Sequence, residues 1–435
     1  MTHSRSLRRE RAVGPVREPL VVSLSMPPHE IPTAEDLLAL PIDGLPDEIV
    51  TIAERLAGAP VGLYVVDLEG VALRRLAGAS SFPEEVPIPQ MAGPEIPTGH
   101  LAALERDFAA REIGAVVPLW LRHRAIAVFL VDGAPGTALD DFATRAAGVL
   151  ELSIRYTDRL AGARHRQRAT AGAELQQLLL PPRIAGMRGA EIAGSVLPAY
   201  DVGGDWFEHI ADRRGAWLAV ADASGKGPRA SALSALTLAA LRATREAGGS
   251  LAEAAAEMDR AILGFGDPSM FVTALLARWN YADSTLEWLT FGHPQPCRIT
   301  ASGELDDLSG TVLPPLGLLS GRPFALTRVT LRPGDRVVFY SDGVIERRSG
   351  DDRLGIDGLH AHIRSASEPS AASLLTHILS HVSGLHETPL EDDATVVILG
   401  VLEDQTHEPP AAPEGISPRE RAGRTSSPRR ARPSS

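Results

Sequence analysis

Four aspartates at the ends of apolar runs are the residues of this chain whose type and spacing could do chemistry. They are Asp205 in DVGGDWFE, Asp222 in LAVADASGKG, Asp342 in VVFYSDGV and Asp392 in LEDDATVVIL. Each neighbouring apolar run predicts a β-strand, and carboxylates at strand ends can converge at one edge of a sheet. Converging carboxylates repel one another unless cations lie between them. Oxygen ligands suit hard ions such as Mg²⁺ or Mn²⁺, so the pattern predicts a two-metal hydrolytic site.

The four motifs are informative together rather than singly. An Asp-Gly pair after an apolar strand is most often a turn, so any one of them has an ordinary structural explanation. Four acidic motifs in one chain, each bordering a predicted strand, favour a shared site over four unrelated turns.

Composition restricts the class of protein. The chain has 435 residues, of which 44% are hydrophobic and 23% charged, as in ordinary globular proteins of two or three domains. A net charge of −12 gives no indication of a nucleic-acid partner. The single cysteine, Cys297, excludes an intrachain disulfide and fits a reducing compartment. No apolar run is long enough to span a bilayer, so we expect a cytoplasmic protein without a membrane partner.

The chain divides into five predicted segments. Residues 1–43 carry Pro, Arg and Glu without periodicity and are predicted to be disordered. Residues 44–158 form a small domain, 159–185 a helical linker, and 186–402 a larger domain of mixed strands and helices. The Pro-, Arg- and Ser-rich tail, 403–435, is again predicted to be disordered. The predicted fold class is therefore α+β.

The small domain resembles a GAF sensor domain. The resemblance rests on VGLYVVDLEG, then AVVPLWLRHRAIAVFLVDG, then a closing helix, and it covers residues 44–158. It implies an α/β/α arrangement that receives a small-molecule or protein signal. The alternative is a small α+β spacer that binds no ligand, because a fold alone does not establish a site.

A long helix is predicted over residues 139–180, ending at Pro181–Pro182. Apolar residues at heptad-like spacing are Leu150, Ile154, Ala161, Ala171, Leu175 and Leu178. They could form a coiled-coil seam and so a homodimer through the linker, although arginines interrupt the pattern. The alternative is a solvated connector.

Eight ordered blocks in the larger domain carry a second resemblance. They are LQQLLLPP, GSVLPAYDVGGDWFE, LAVADASGKGPRASAL, MFVTALLARWN, TFGHPQPCRI, LPPLGLL, LRPGDRVVFYSDGVIE and EDDATVVIL. This series resembles the metal-dependent serine/threonine phosphatases of the PPM family, in their SpoIIE/RsbU-type bacterial branch, over about residues 175–402. The resemblance implies an α/β/β/α sandwich of antiparallel sheets that holds two Mn²⁺ or Mg²⁺ ions.

The resemblance also implies roles for particular residues. The metal ligands that it implies are Asp205, Asp222, the backbone carbonyl of Ala223, Asp342, Asp392 and Asp393. Asp222 stands where the family has its metal-bridging aspartate. Two cations lower the pKa of a shared water and offset phosphoryl charge, so no protein nucleophile is needed.

The proton donor is unassigned at this stage. The chain lacks the histidine that eukaryotic relatives place after their bridging Asp-Gly, as is typical of the bacterial branch. His293 in FGHP is the available substitute, but a structural histidine is the favoured interpretation. Thr273 is expected to pack near the metal end, and Glu208 stands where the family often has aspartate.

The leading hypothesis is a phosphatase acting on phosphoserine or phosphothreonine. The resemblance implies a phosphorylated STAS-domain anti-sigma-factor antagonist as its substrate, under control of the GAF-like domain. Leu175, Leu178 and Leu179 are the expected contact between the linker and the helix predicted to begin at Pro228. Two alternatives remain open: a non-catalytic sensor and binding regulator on a phosphatase fold, and a hydrolase of small phosphoesters.

Overall fold

The computed structural model describes residues 30–111, 113–168, 170–198, 203–319, 324–349, 352–366, 370–385, 390 and 392–403. The helices are α1 Ala34–Leu38, α2 Leu45–Ala57, α3 Thr98–Ala110, α4 Thr137–Ser153, α5 Arg159–Arg164, α6 Ala171–Leu179, α7 Pro228–Glu246, α8 Leu251–Gly264, α9 Asp342–Ile345, α10 Gly355–Ser365 and α11 Ala371–Gly384. None of the helices so described is long and apolar enough to cross a membrane.

The strands begin with β1 Val61–Val66, β2 Ala72–Gly78, β3 Glu85–Pro87, β4 Ile96–Pro97, β5 Ala115–Leu121 and β6 Arg124–Val131. They continue with β7 Ile184–Met187, β8 Ala190–Leu197, β9 Asp205–Ala211, β10 Gly215–Ala223, β11 Val272–Asn280, β12 Thr285–Phe291 and β13 Cys297–Ile299. The last are β14 Leu305–Asp307, β15 Val312–Leu313, β16 Thr327–Thr330, β17 Arg336–Tyr340, β18 Arg348–Ser349, β19 Asp352–Arg353 and β20 Ala394–Val401.

The N-terminal domain is one antiparallel sheet between two apolar layers. Its strands lie in the order β3-β2-β1-β6-β4, with β5 also paired to β6. Strand β6 is buried along its whole length, so its side chains alternate between the two layers. Phe129 packs with Phe142 of α4 on one face, whereas Val128 packs with Phe108 of α3 on the other. This is an α/β/α layering; the GAF-like assignment itself stays a prediction.

The predicted disorder of residues 1–43 is wrong for its last part. Residues 30–43 are described, and helix α1 begins there at a capping box between Thr33 and Asp36. Leu37 of α1 is fully buried in the same apolar layer as Phe142, which explains why this short helix is held in place. Residues 1–29 and 404–435 lie outside the described residues.

The C-terminal domain is a four-layer α/β/β/α sandwich. The first sheet has the order β15-β12-β11-β10-β9, with β16 paired to β12, and the second has the order β14-β13-β17-β20-β8-β7. Helices α7 and α8 cover the first sheet, and α10 and α11 cover the second. Phe207 and Val220 of the first sheet pack against Phe339 and Val397 of the second in the layer between them. All pairs except β12–β15 are antiparallel among the strands described.

The predicted continuous helix over 139–180 is wrong. Helix α4 ends at Ser153, and α5 and α6 are separate helices. Thr170 starts α6 anew, because its side chain accepts a hydrogen bond from the Ala173 amide. The segment between is tied to the N-terminal domain: Arg159 forms an ion pair with Asp47. The single helix needed for a dimeric coiled coil is therefore absent from this part of the chain.

The two domains meet at a buried carboxylate. Glu95, in the loop before β4, forms an ion pair of 2.5 Å with Arg124 of β6. Its two oxygens also accept hydrogen bonds from the backbone amides of Arg183 and Ile184, at 3.2 and 3.1 Å, where the C-terminal domain begins. Ala92 of the same loop is buried in the C-terminal core. The N-terminal domain is thus docked on the other rather than merely tethered to it.

Candidate metal centre

Pairing between strands brings the predicted aspartates to one end of the sandwich. Asp205, the first residue of β9, lies directly opposite Asp222, near the end of β10, and their carboxyl groups are hydrogen bonded. In the second sheet, Asp342 follows β17 and Asp392 precedes β20, and these two strands are antiparallel neighbours. Each sheet therefore presents its acids at the same end.

Two glycines permit this close approach. A Cβ atom on Gly204 would lie 2.9 Å from both the Asp222 Oδ1 atom and the Ala223 carbonyl oxygen. A Cβ atom on Gly343 would lie 2.0 Å from the Asp393 carbonyl oxygen. No side chain fits at either position, so the Gly-Asp and Asp-Gly pairs in these motifs serve the packing of the site.

Burial and, after it, mutual repulsion raise the pKa values of the acids at this site. Burial, followed by the charges of Asp342 and Asp392, raises the pKa of Asp222 to about 8. Burial, with the charges of Asp222 and Asp393, raises the pKa of Asp205 well above its usual range. The pKa of Asp342 is raised by burial and by Asp392. The predicted acids thus act on one another strongly enough to require either protons or cations.

The donor set suits a hard divalent cation, although its side chains are not arranged as a ready cage. Among the described residues, no three His, Cys, Asp or Glu side chains are arranged so that they could hold a metal ion. Several carboxyl oxygens are instead hydrogen bonded to protein groups, as Asp205 is to Ser341. The available donors are nevertheless carboxylate and carbonyl oxygens, and a cation would relieve the repulsion that raises their pKa values.

The acids differ in exposure. Asp205 and Asp393 are buried, with 2% and 1% of their surface exposed. Asp222 is half-buried, whereas Asp342 and Asp392 are exposed to solvent. The site is therefore closed on the side of the sandwich interior and open where Asp342 and Asp392 lie, which is the side from which a substrate can reach it.

Three polar residues at the site were missed from the sequence. The side-chain amide of Gln176, on α6, donates to Asp393 Oδ2 at 2.6 Å and to the Asp205 carbonyl at 2.8 Å. Ser341 and Thr395 donate to Asp205 Oδ2. The predicted contact through Leu178 is wrong, because 80% of its surface is exposed. A glutamine beside small Gly172 and Ala173 on the buried face of α6 was the available signal.

His293 has a structural setting. It is buried, and its Nδ1 atom lies 3.1 Å from the hydroxyl of Thr273, which pairs across the sheet with Asp222. Burial lowers the pKa of His293 to about 3, so the imidazole is neutral at physiological pH. A neutral, enclosed imidazole is a poor proton donor, which favours the structural interpretation.

Glu208 does not join the acids. Side chains alternate along β9, so Glu208 faces the helices rather than the metal end. It forms an ion pair with Arg242 of α7. This position therefore anchors a helix to the first sheet instead of contributing a ligand.

Comparison with known proteins identifies the class of the larger domain. Residues 212–402 match the family described as Stage II sporulation protein E (SpoIIE), a family of PP2C-type phosphatase domains. Residues 212–402 thus form a PP2C-type phosphatase domain of the SpoIIE type, homologous to RsbU. The match does not reach residues 44–158, so it does not test the GAF-like assignment.

The chain is also similar to individual proteins. The chain is 26% identical over 228 residues to the phosphoserine phosphatase RsbU of Bacillus subtilis (strain 168), covering 52% of this chain and 68% of that protein. A structure of the RsbU and RsbW domains of Rv1364c from Mycobacterium tuberculosis shows 29% identity and a TM-score of 0.45, covering 50% of this chain and 62% of that one. The SiaA-PP2C domain of Pseudomonas aeruginosa shows 20% identity and a TM-score of 0.46, covering 52% and 92%.

Proposed function

We propose that this protein is a metal-dependent phosphatase that acts on phosphoserine or phosphothreonine in a protein. The observation that carries the proposal is the meeting of Asp205 and Asp222 of one sheet with Asp342 and Asp392 of the other. Like charges this close raise the free energy of the metal-free site, and proteins retain such arrangements where a cation is to be bound.

The residues that would hold the ions are Asp205, Asp222, the Ala223 carbonyl, Asp342, Asp392 and Asp393. Bound divalent ions would supply Lewis acidity, lowering the pKa of water and offsetting charge on a phosphoryl group. The protein's own part is to fix these oxygens in place. The strand pairing holds Asp205 against Asp222, and Gln176 holds Asp393. The exposed Asp342 and Asp392 leave the approach to a surface phosphoryl group open.

The proposed substrate is a phosphorylated STAS-domain anti-sigma-factor antagonist. Support comes from the RsbU relative, a phosphoserine phosphatase, and from the solved chain that joins an RsbU to an RsbW domain. Dephosphorylation would allow the antagonist to capture an anti-sigma factor and so release a sigma factor. In this proposal the antagonist and the anti-sigma factor are separate proteins.

We propose further that the N-terminal domain controls the site. A connected set of contacts supports this: Glu95 bonds the Arg183 amide, and the Arg183 guanidinium bonds Gln177 of α6 at 2.8 Å. The adjacent Gln176 bonds Asp393. A ligand of the N-terminal domain that shifts Glu95 would thereby change the placement of Asp393. A change of only about 1–3 kcal/mol would alter activity about 5- to 150-fold.

The proposal is tested by incubating the protein with phosphorylated STAS proteins, a phosphopeptide and an aryl phosphate, with and without Mn²⁺. We expect Mn²⁺-dependent release of phosphate from the STAS protein, faster than from the aryl phosphate, and loss of release in excess chelator. Equal turnover of the aryl phosphate would favour a small-phosphoester hydrolase. Absence of turnover with every substrate, with metal binding intact, would favour the non-catalytic regulator.

A further inference from the structure

A pair of buried hydroxyls holds one carboxylate of the metal centre from the opposite sheet. Asp205 begins β9 in the first sheet, whereas Ser341 follows β17 and Thr395 lies in β20 of the second. Ser341 Oγ donates to Asp205 Oδ2 at 2.8 Å, and Thr395 Oγ1 donates to the same oxygen at 2.5 Å. The two residues are fully buried.

The hydroxyls are themselves fixed by the backbone. The Thr395 amide donates to Ser341 Oγ at 3.0 Å, and the Ser341 amide donates to the Thr395 carbonyl, also at 3.0 Å. Because Ser341 Oγ accepts from Thr395, its own proton is left for Asp205. The orientation of the hydroxyl pair is therefore determined by the pairing of the two strands and needs no other side chain.

Both hydroxyls donate to the same oxygen of the Asp205 carboxylate, Oδ2. Oδ2 accepts two protein hydrogen bonds, so the carboxylate cannot rotate without breaking both. Neither hydroxyl bonds the other oxygen, Oδ1. Donation by two hydroxyls also favours the charged carboxylate, which is the form that binds a cation.

We infer that Ser341 and Thr395 are positioning residues for the metal centre: they hold the Asp205 carboxylate in one orientation, with a single oxygen available to a divalent cation. This inference rests on the proposed function, since it assigns a role toward the metal. It predicts that the pair sets the affinity for Mn²⁺ rather than only the stability of the fold.

The chain provides matched controls for this inference. Ser195 of β8 and Thr290 of β12 are equally buried, lie in the same two sheets, and have hydroxyl oxygens without a hydrogen-bond partner among the described residues. Removing a hydroxyl from Ser195 or Thr290 makes the same change of atoms in the core but breaks no hydrogen bond among the described residues and leaves Asp205 untouched. Thr395→Ser keeps the hydroxyl at the metal end and removes only a methyl group.

The test is titration calorimetry of Mn²⁺ into the full chain, at a temperature where circular dichroism shows every variant folded. We expect Ser341→Ala and Thr395→Val each to weaken Mn²⁺ binding about 10- to 100-fold. We expect Ser195→Ala and Thr290→Val to bind as the wild type does, and Thr395→Ser to bind within a few-fold of it. Activity at saturating Mn²⁺ should be recovered in large part.

The outcomes separate the two hypotheses. If the wild type binds Mn²⁺ and the two hydroxyl-deleting variants bind it equally well, the positioning role is wrong and the proposed function stands. If they weaken binding no more than the two controls do, the role is merely structural and the inference is again wrong. If the wild type binds no divalent ion, the metal centre and the positioning role are overturned together.

Discussion

Two buried ionic clusters in this molecule differ in whether they contain opposite charges or like charges. The domain-contact cluster joins Glu95 to Arg124 and to the start of the C-terminal domain, and Arg124 reaches a second acid, Glu151, at 2.9 Å. The acid cluster at the end of the sandwich contains Asp205, Asp222 and their acidic neighbours, with no cationic group among the causes that shift their pKa values. The domain-contact cluster therefore pairs acids with arginine, whereas the acid cluster brings carboxylates of like charge together.

This difference in charge indicates a structural role for the domain-contact cluster and a functional role for the acid cluster. Burial raises the pKa of Glu95, but Arg124 and the Arg183 amide oppose the rise, so the ion pair and its hydrogen bonds can hold two domains together. In the acid cluster, uncharged donors such as the Ser341 hydroxyl and the Gln176 side-chain amide bond the carboxylates. Such a cluster is destabilising by itself, which is the reason we propose that the protein binds a cation there.

The largest effect is expected from neutralising the centre of the acid cluster. Asp222→Asn should reduce phosphatase activity by at least about 100-fold, because one of the carboxylates that would hold the ions is lost. The fold should remain intact by circular dichroism. Asp141→Asn, at an exposed position of α4, is the control and should retain full activity. Near-wild-type kcat for Asp222→Asn at saturating Mn²⁺ would show that Asp222 does not bridge the ions.

Opening the domain-contact cluster should have the next largest effect. Glu95→Ala leaves two backbone amides buried without their acceptor and Arg124 paired with Glu151 alone, so it should lower the free energy of unfolding by about 3–5 kcal/mol. Urea unfolding followed by tryptophan fluorescence measures this loss. Glu84→Ala, whose side chain is 93% exposed, should change stability little. Equal stability of the two variants would contradict the view that the domains are docked through Glu95.

The pH dependence of the stability of the metal-free protein tests whether the carboxylates of the acid cluster repel one another. Because the pKa of Asp222 is raised to about 8, folding favours its protonated form. The stabilising contribution of protonated Asp222 is fully present below about pH 4 and is lost as the pH rises through about 8. Relative to Asp222→Asn, the wild type should lose roughly 2–4 kcal/mol over this range.

Mn²⁺ should remove most of that loss, since binding to the folded state opposes the repulsion. Thermal denaturation at several pH values, with chelator and with Mn²⁺, measures both effects. If the difference in stability between the wild type and Asp222→Asn does not change with pH, the acids are not electrostatically coupled.

The smallest effect concerns a buried acid that belongs to neither cluster. Burial raises the pKa of Asp67, in the N-terminal domain, to about 6, and its ion-pair partner Arg166 is half-exposed at 3.5 Å. The stabilising contribution of protonated Asp67 is lost as the pH rises from about 4 through 6. Asp67→Asn keeps an oxygen for the Val71 and Ala72 amides. It should therefore stabilise the protein by about 1–2 kcal/mol at pH 8 and by nothing at pH 4.

Calorimetric melting of the wild type and Asp67→Asn at the two pH values checks this expectation. Asp132→Asn, at an exposed position near the same sheet, serves as the control for a change in net charge. A destabilised Asp67→Asn at pH 8 would show that the pair with Arg166 outweighs the cost of burying the charge.

Strong local patterns were sufficient for most of the C-terminal elements. From the sequence alone, the apolar runs 285–291, 336–340 and 394–401 predict strands, and the structure has strands with the same bounds, Thr285–Phe291, Arg336–Tyr340 and Ala394–Val401. The helix predicted from Pro228 begins there, because proline suits the first turn after Gly227. The bounds of strand β9 were not predicted, since its apolar residues Trp206 and Phe207 are consecutive and face two different layers. A period-two pattern that is buried on both faces carries little signal.

The linker shows where such patterns fail. Residues 139–180 have helical propensity, but three helices result, because Arg159 binds Asp47 and the Leu68 amide bonds the Arg164 carbonyl. Each of these contacts spans far more of the chain than a helical period does. Local propensity can therefore predict that helix forms, but not that the chain will turn back on the domain it has just left.

By itself, the sequence determined which acids meet, because each lies in a short motif whose glycine and strand are local features. Gly204 and Gly343 are required wherever a backbone or carboxyl atom must come within about 3 Å, and both stand beside their aspartates in the chain. Only the tertiary structure decided what holds those acids. Ser341 and Thr395 are separated from Asp205 by 136 and 190 residues, and Gln176 from Asp393 by 217. Hydrogen bonds over such separations depend on how two sheets and a docked helix pack, and no local pattern records that packing.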